Sequence, residues 1–198
     1  MTAPNPTELQ LDALRELANV GCGHAASALS RLVGGPKIQI DVPTVVVAGP
    51  EELPSRVAIL AERVLVATLQ VHGDIEGHVL LALAERDALC LAALLLRAPA
   101  EASLGDEHRS ALSEAANIVG SACLSAIGQL TGFRLLPSVP SLSHCAALDD
   151  ALRAAEGSGV MVVLEARFTA AATLPFEGRM FVIPATKSLR RLLERLGV

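Results

Sequence analysis

The stretch LDALRELANVGCGHAASALSRLVGG (11–35) lines up without gaps with RSALSEAANIVGSACLSAIGQLTGF (109–133), so one helical segment occurs twice in the chain. The register pairs Asp12 with Ser110, Glu16 with Glu114, Asn19 with Asn117 and Ala28 with Ala126. Leu11, Leu14, Leu17 and Ala18 recur at helical spacing, as do Leu112, Ala115 and Ala116. Thr7 is the expected cap of the first helix, and Ser103 or Asp106 that of the second. Gly34-Gly35-Pro36 and Gly132 mark the ends, because glycine accepts the left-handed cap and proline cannot continue a helix.

Working outward, each segment leads to a Val-Pro pair, Val42-Pro43 and Val139-Pro140. Proline has no N–H to give a ladder, so Pro43 and Pro140 belong at an edge, a bulge or a strand start. Residues 63–96 then resemble 160–196: two extended runs flank Glu76-Gly77 and Glu177-Gly178, and a short amphipathic helix follows. Strands are expected at 42–47, 64–71, 79–83, 160–164 and 180–183. The linker APAEASLGDEH (98–108) separates the halves. The predicted fold is α/β: one pseudo-twofold domain over 1–198, made of repeats at about 7–97 and 103–198. About six strands form a continuous sheet, covered on one face by two long motif-bearing helices and shorter ones.

Composition narrows the function classes. The 198 residues are 52% hydrophobic, yet Trp and Tyr are absent and Phe133, Phe168, Phe176 and Phe181 are the only aromatics. An aliphatic, Ala-rich core permits close helix packing and offers no platform for base stacking. With a net charge of −5 as well, nucleic acid is not an expected partner. Cys22, Cys90, Cys123 and Cys145 show no CxxC spacing, and MTAPNPTELQ has neither a basic nor an apolar leader region. Free thiols in a cytoplasmic protein are the simpler reading. Ala115 to Phe133 carries no charge, but Asn117, Ser121, Ser125 and Gln129 within it favour a buried helix over a membrane span.

On a helix, residues i and i+3 share a face, so Glu16 points with Asn19 and Glu114 with Asn117. One such pair is an ordinary solvent-facing feature. Asn, however, costs roughly 0.7 kcal/mol relative to Ala in a helix, and here it recurs at equivalent positions while neighbours diverge. An amide both donates and accepts hydrogen bonds, so it can hold a water in line with a phosphoryl group. A carboxylate three residues away can dock a basic side chain of a partner.

The order Asp/Ser-x3-Glu-x2-Asn, with a proline about two dozen residues on, reads Ser110, Glu114, Asn117, Pro140 and Asp12, Glu16, Asn19, Pro43. It resembles the signature of the CheC-type chemotaxis phosphatases, to which CheX and FliY are related. The resemblance implies that Asn19 and Asn117 orient water for attack on the aspartyl-phosphate of the response regulator CheY. It also implies that Glu16 and Glu114 contact a regulator lysine, and that Asp12, Ser110, Pro43 and Pro140 belong to the same motif. Mg²⁺ is then expected to come with the phosphorylated partner, this chain binding no metal or cofactor. The receptor deamidase CheD is a further partner of the family, and a monomer carrying two sites is expected. A non-catalytic adaptor or flagellar-switch component is the alternative.

Other clusters are weaker. His72, Asp74, Glu76 and His78 surround an expected hairpin turn, where exposed polar residues are ordinary and a metal site is the rarer outcome. Cys22 and His24 face different ways on a helix. Gly21-Cys22-Gly23 follows a helix instead of a strand and lacks the lysine of a phosphate loop. KSLRRLLERL (187–196) reads as a packed amphipathic helix.

Overall fold

The computed structural model describes residues 6–34, 38–49, 52, 63–145, 161–170 and 174–198. Helix α1 spans Glu8–Val33. Thr7 Oγ1 accepts the Gln10 N–H at 3.3 Å, and the Gln10 side chain accepts the Thr7 N–H at 3.0 Å. Its counterpart α3 spans Asp106–Thr131 but starts differently from expectation. Neither Ser103 nor Asp106 caps it: Gly105 is the N-cap, and its N–H donates to His108 Nδ1 at 3.0 Å. Ser103 lies two residues too early, and Asp106 is already the first helical residue, where its charge suits the helix dipole. Gly34 (φ 65°) and Gly132 (φ 73°) close the two helices in the left-handed conformation.

Strands β1 (Ile38–Ile40), β2 (Thr44–Ala48), β3 (Val64–Gly73) and β4 (Gly77–Ala84) follow α1, and helix α2 (Glu85–Leu96) ends the first half. After α3 come β5 (Leu135–Pro137), β6 (Ser141–Cys145), β7 (Met161–Ala170), β8 (Phe176–Pro184) and helix α4 (Thr186–Leu196). Among the described residues the strands form one antiparallel sheet in the order β1-β7-β8-β4-β3-β5. In addition β2 pairs with β7, and β6 with β3. The order is symmetric about β8 and β4, where Leu80 faces Phe181 and Leu81 faces Met180.

Eight strands appear where six were expected, and the Val-Pro pairs explain the difference. β1 and β2 are one edge strand broken in the middle. Ile38–Ile40 pairs with Ala170–Phe168 and Thr44–Ala48 with Glu165–Met161, which leaves Asp41, Val42 and Pro43 opposite Ala166 and Arg167. The other edge repeats this, with Ser138, Val139 and Pro140 opposite Leu69 and Gln70. Each break is a β-bulge with one extra residue. The Asp41 N–H still reaches Arg167 O at 3.0 Å, and the Ser138 N–H reaches Gln70 O at 2.8 Å, so the ladder carries into each bulge, and pairing resumes beyond the prolines at Thr44 and Ser141. Because β3 and β7 pair with both pieces of their edge, they run past the apolar stretches that were visible in sequence. Residue 160 lies outside the described residues.

The helices cover one face of the sheet. Leu14, Leu17, Leu29, Leu112, Val119 and Ile127 pack there against Leu65, Leu69, Leu81, Leu164 and Val182. Val64, Val66, Leu80, Val163, Phe181 and Ile183 form a second buried cluster on the opposite face. α1 lies over β1, β2 and β7, α3 over β3, β5 and β6, and the two helices pack on each other. Gly21 is what brings them together: a Cβ there would lie 3.0 Å from Cys123 Sγ and from Ile127 Cγ1. Cys123 and Cys22 are buried free thiols, and the hydrogen bond to Cys22, with burial, raises the Cys123 pKa. Cys90 is also free and half-buried. α3 is the single described helix long and apolar enough to cross a membrane, yet it packs on α1 at one flank and the sheet at another.

The Glu-Gly pairs are close approaches of backbone. A Cβ on Gly77 would overlap the carbonyl of Ile183 and lie 2.9 Å from Pro184 Cα, and one on Gly178 would enter the Phe168 ring. A Cβ on Gly23 would meet nothing within 4 Å. Gly77→Ala should therefore lower unfolding free energy by about 2 kcal/mol, the usual scale of overpacking. Gly23→Ala should raise it by about 0.5–1 kcal/mol through helix propensity. Urea denaturation of both variants checks the opposite signs.

Candidate functional site

Both Glu-x-x-Asn pairs lie on the outer stripe of their helices. Leu14, Leu17 and Ala18 turn inward on α1, which leaves Asp12, Glu16 and Asn19 exposed. On α3, Leu112, Ala115 and Ala116 are buried while Ser110 and Glu114 are exposed and Asn117 is half-buried. Since α1 covers one sheet edge and α3 the other, the copies stand over opposite edges. Neither Glu16, Asn19, Glu114 nor Asn117 makes a side-chain hydrogen bond or ion pair among the described residues. Glutamates with no internal use, held on 26-residue helices, are free for a partner.

The second copy is gathered into a depression of about 430 Å³ lined by Arg109, Ser110, Ser113, Glu114, Pro140 and Leu142. The bulge on this edge thus delivers Pro140 to the helix face that carries Ser110 and Glu114. Val139 is 87% exposed beside it. Asn117, one turn further along α3, is not part of that lining. In the first copy, Pro43 is buried just before β2 and Val42 is 85% exposed. A larger depression of about 660 Å³ lies further along α1, between Gly23, Ala26, Ser27, Ser30 and residues 38–41, and contains none of the motif side chains.

The copies also differ in charge. Asp12 is tied to Arg15 by an ion pair on α1, whereas its counterpart Ser110 is neutral. Arg109 of the second copy has no carboxylate partner among the described residues; its place in the first copy is taken by Leu11. Near Arg109 stands His144 of β6, whose Nδ1 is shut off from solvent without a hydrogen bond. Burial, and then the positive charges of Arg109 and Arg63, push the His144 pKa down from its ordinary 6.5. Arg109, Ser113, Leu142 and His144 were not singled out from sequence. The replacement of Leu11 by Arg109, immediately before the motif, was the available signal.

The acidic turn between β3 and β4 is structural. Asp74 Oδ2 accepts the Arg134 N–H at 2.8 Å and Asp74 Oδ1 accepts from Arg191 at 3.1 Å. The Arg134 N–H first of all, then Arg191, hold its carboxyl below the usual range. Glu76 pairs with Lys187 at 2.7 Å, and the Glu76 N–H donates to the buried Ser188 hydroxyl at 2.9 Å. The turn therefore anchors α4, whose Leu189, Leu192 and Leu193 are buried. Among the described residues no group of three His, Cys, Asp or Glu side chains is placed to hold a metal ion.

The CheC-like family model matches residues 9–47 and 107–144, the two stretches from motif helix to edge strand. The chain is 30% identical to the CheY-P phosphatase CheC of Bacillus subtilis, over 96% of this chain and 95% of that one. In fold it is similar to FliY of Thermotoga maritima, with a TM-score of 0.79 and 20% identity over 98% of both chains. FliM in its complex with SpeE from H. pylori matches with a TM-score of 0.71 and 11% identity, over 98% of this chain and 97% of that one. The CheX-CheY-BeF3-Mg²⁺ complex of Borrelia burgdorferi matches with a TM-score of 0.57 and 13% identity, over 87% of this chain and 98% of that one.

The charge environment of the second copy has a direct spectroscopic consequence. A folded-state pKa below 6.5 means that the unfolded chain takes up the His144 proton first, so this group weakens the fold as pH falls through 6.5. In NMR titration the His144 ring should protonate below pH 6.5, and Arg109→Gln should move its midpoint upward.

Proposed function

The chain belongs to the CheC-like family, and on that premise we propose that it hydrolyses the aspartyl-phosphate of a CheY-type chemotaxis response regulator. The observation that carries this reading is the pair of Glu-x-x-Asn faces, unpartnered among the described residues and presented on long helices over opposite sheet edges. Asn19 or Asn117 enters the partner's active site, and its amide holds a water in line with the phosphorus. The water oxygen bonds to phosphorus as the bond to the aspartyl oxygen breaks. Inorganic phosphate and a free carboxylate leave, with the water's proton carried away on phosphate. Glu16 or Glu114 pairs with a partner lysine and fixes the approach. The chain contributes orientation and docking, while Mg²⁺ travels with the phosphorylated partner and stabilises the charge there.

Ser110 and Pro140 shape the second docking surface; Asp12 and Pro43 occupy the matching places in the first. The same reading treats 1–198 as one domain of two repeats, about 7–97 and 103–198, acting as a monomer in the cytoplasm. Support for one domain comes from the β4–β8 pairing and the α1–α3 contact, both of which join the repeats. An adaptor that holds a regulator or the deamidase CheD without turnover is the contrasting reading, and the fold shared with FliM is compatible with it.

Phosphate release from phospho-CheY with Mg²⁺ separates the two. Catalytic amounts of the wild-type chain should accelerate release. Each single variant, Asn19→Ala or Asn117→Ala, should retain part of the rate, and the double variant should lose at least about 100-fold while unfolding at the same urea concentration. Full activity in the double variant would exclude the asparagine mechanism. Binding without acceleration by the wild type would favour the adaptor.

A further inference from the structure

We propose that Arg109 is a docking residue of the second motif copy, where it and Glu114 read two partner side chains of opposite charge. The inference rests on the reading of Glu114 as a docking carboxylate and extends it to a difference between the two sites.

Arg109 and Glu114 line the same depression with Ser110, Ser113, Pro140 and Leu142. At about 100° per residue, Arg109 projects on the flank of α3 turned towards β6, Glu114 on the opposite flank, and Asn117 between them in angle. Five residues separate the two charges, about 7.5 Å along the helix axis. Arg109 is half-buried and has no anionic partner among the described residues, while the cation in the first copy, Arg15, is engaged by Asp12. Arg63, the other cation acting on His144, is already paired with Glu85 at 3.3 Å, so the half-buried Arg109 guanidinium beside the His144 ring is the one left to favour an incoming carboxylate. Its planar fork suits a carboxylate bidentately. The first copy presents Leu11 at this position, and its Arg15 is paired with Asp12.

Two charges of opposite sign at fixed spacing select one orientation of the partner and penalise the reverse. The second copy therefore requires a regulator with an acidic side chain near the lysine that meets Glu114. It binds that regulator more tightly than the first copy does, and with greater sensitivity to salt. Arg109 does not reach the water held by Asn117, two helical turns away, so it acts on binding and leaves the chemical step alone.

Chains with one working site test this with phospho-CheY as substrate. In the Asn19→Ala chain, which keeps the second copy, Arg109→Gln should raise KM about threefold to fivefold and leave kcat within roughly twofold. Arg109→Lys should recover much of the loss. In the Asn117→Ala chain, Arg109→Gln should change neither constant. Raising salt should raise KM more in the Asn19→Ala chain, and Arg109→Gln should remove that excess. An unchanged KM in the Asn19→Ala chain, an equal change in both chains, or a loss confined to kcat overturns the proposal. If the wild type releases no phosphate, the phosphatase reading fails separately. Calorimetric affinity for CheY charged with beryllofluoride and Mg²⁺ then decides Arg109: weaker binding by Arg109→Gln supports it, while equal or absent binding overturns it.

Discussion

The rest of the structure depends on the pairing of β4 with β8. Gly77 to Ala82 lie against Pro184 to Arg179, and this seam joins two three-stranded halves into one sheet with the helices on a common face. Gly77 shows how tight the seam is, for its backbone lies against the Ile183 carbonyl with no room for a side chain. With the seam fixed, α1 and α3 can rest on each other at Gly21 and Cys123 and still reach opposite edges. The distance between the two motif copies follows from the width of the sheet. No hinge or linker enters into it.

Duplication made much of this legible. The ungapped match of 11–35 with 109–133 gave the two long helices, but of the two Glu-Gly pairs only Glu76-Gly77 marks a turn, since Glu177-Gly178 lies inside β8 and pairs with Thr169 and Phe168. The long apolar helix around Ala115 to Ile127 was correctly read as core because polar residues recur along it. Three-residue edge strands were not legible, since Ile38–Ile40 and Leu135–Pro137 are too short to show alternation. Their pairing is decided by the partner strands. The start of α3 was misread for a related reason: Gly105 caps by backbone geometry and His108 supplies the bond, a combination that no side-chain preference announces.

At the candidate site, the aligned residues of the two copies stand on matching helix faces, but their inequality was not legible. Glu16 and Glu114 occupy matching positions, yet Asn19 is exposed and Asn117 half-buried, and Asp12 is spent on Arg15 while Arg109 has no such partner. These differences arise from residues just outside the motif and from what the neighbouring edge strand brings beside them. An aligned motif fixes which atoms face outward; the electrostatic field around those atoms belongs to the second ring of residues. In the second copy that ring includes His144, on the second strand after α3 yet close enough to Arg109 for the guanidinium charge to act on its ring.

The two edge bulges have an effect beyond the motif. An open antiparallel sheet exposes an unpaired row of backbone groups at each end, a template on which further chains can add and aggregate. Here both rows are interrupted after three residues, kinked by an extra residue and deprived of one N–H by Pro43 or Pro140. A foreign strand would find only short, misaligned stretches to pair with. For a chain that is 52% hydrophobic, the bulges guard against edge-to-edge self-association at the same two edges over which the motif helices lie.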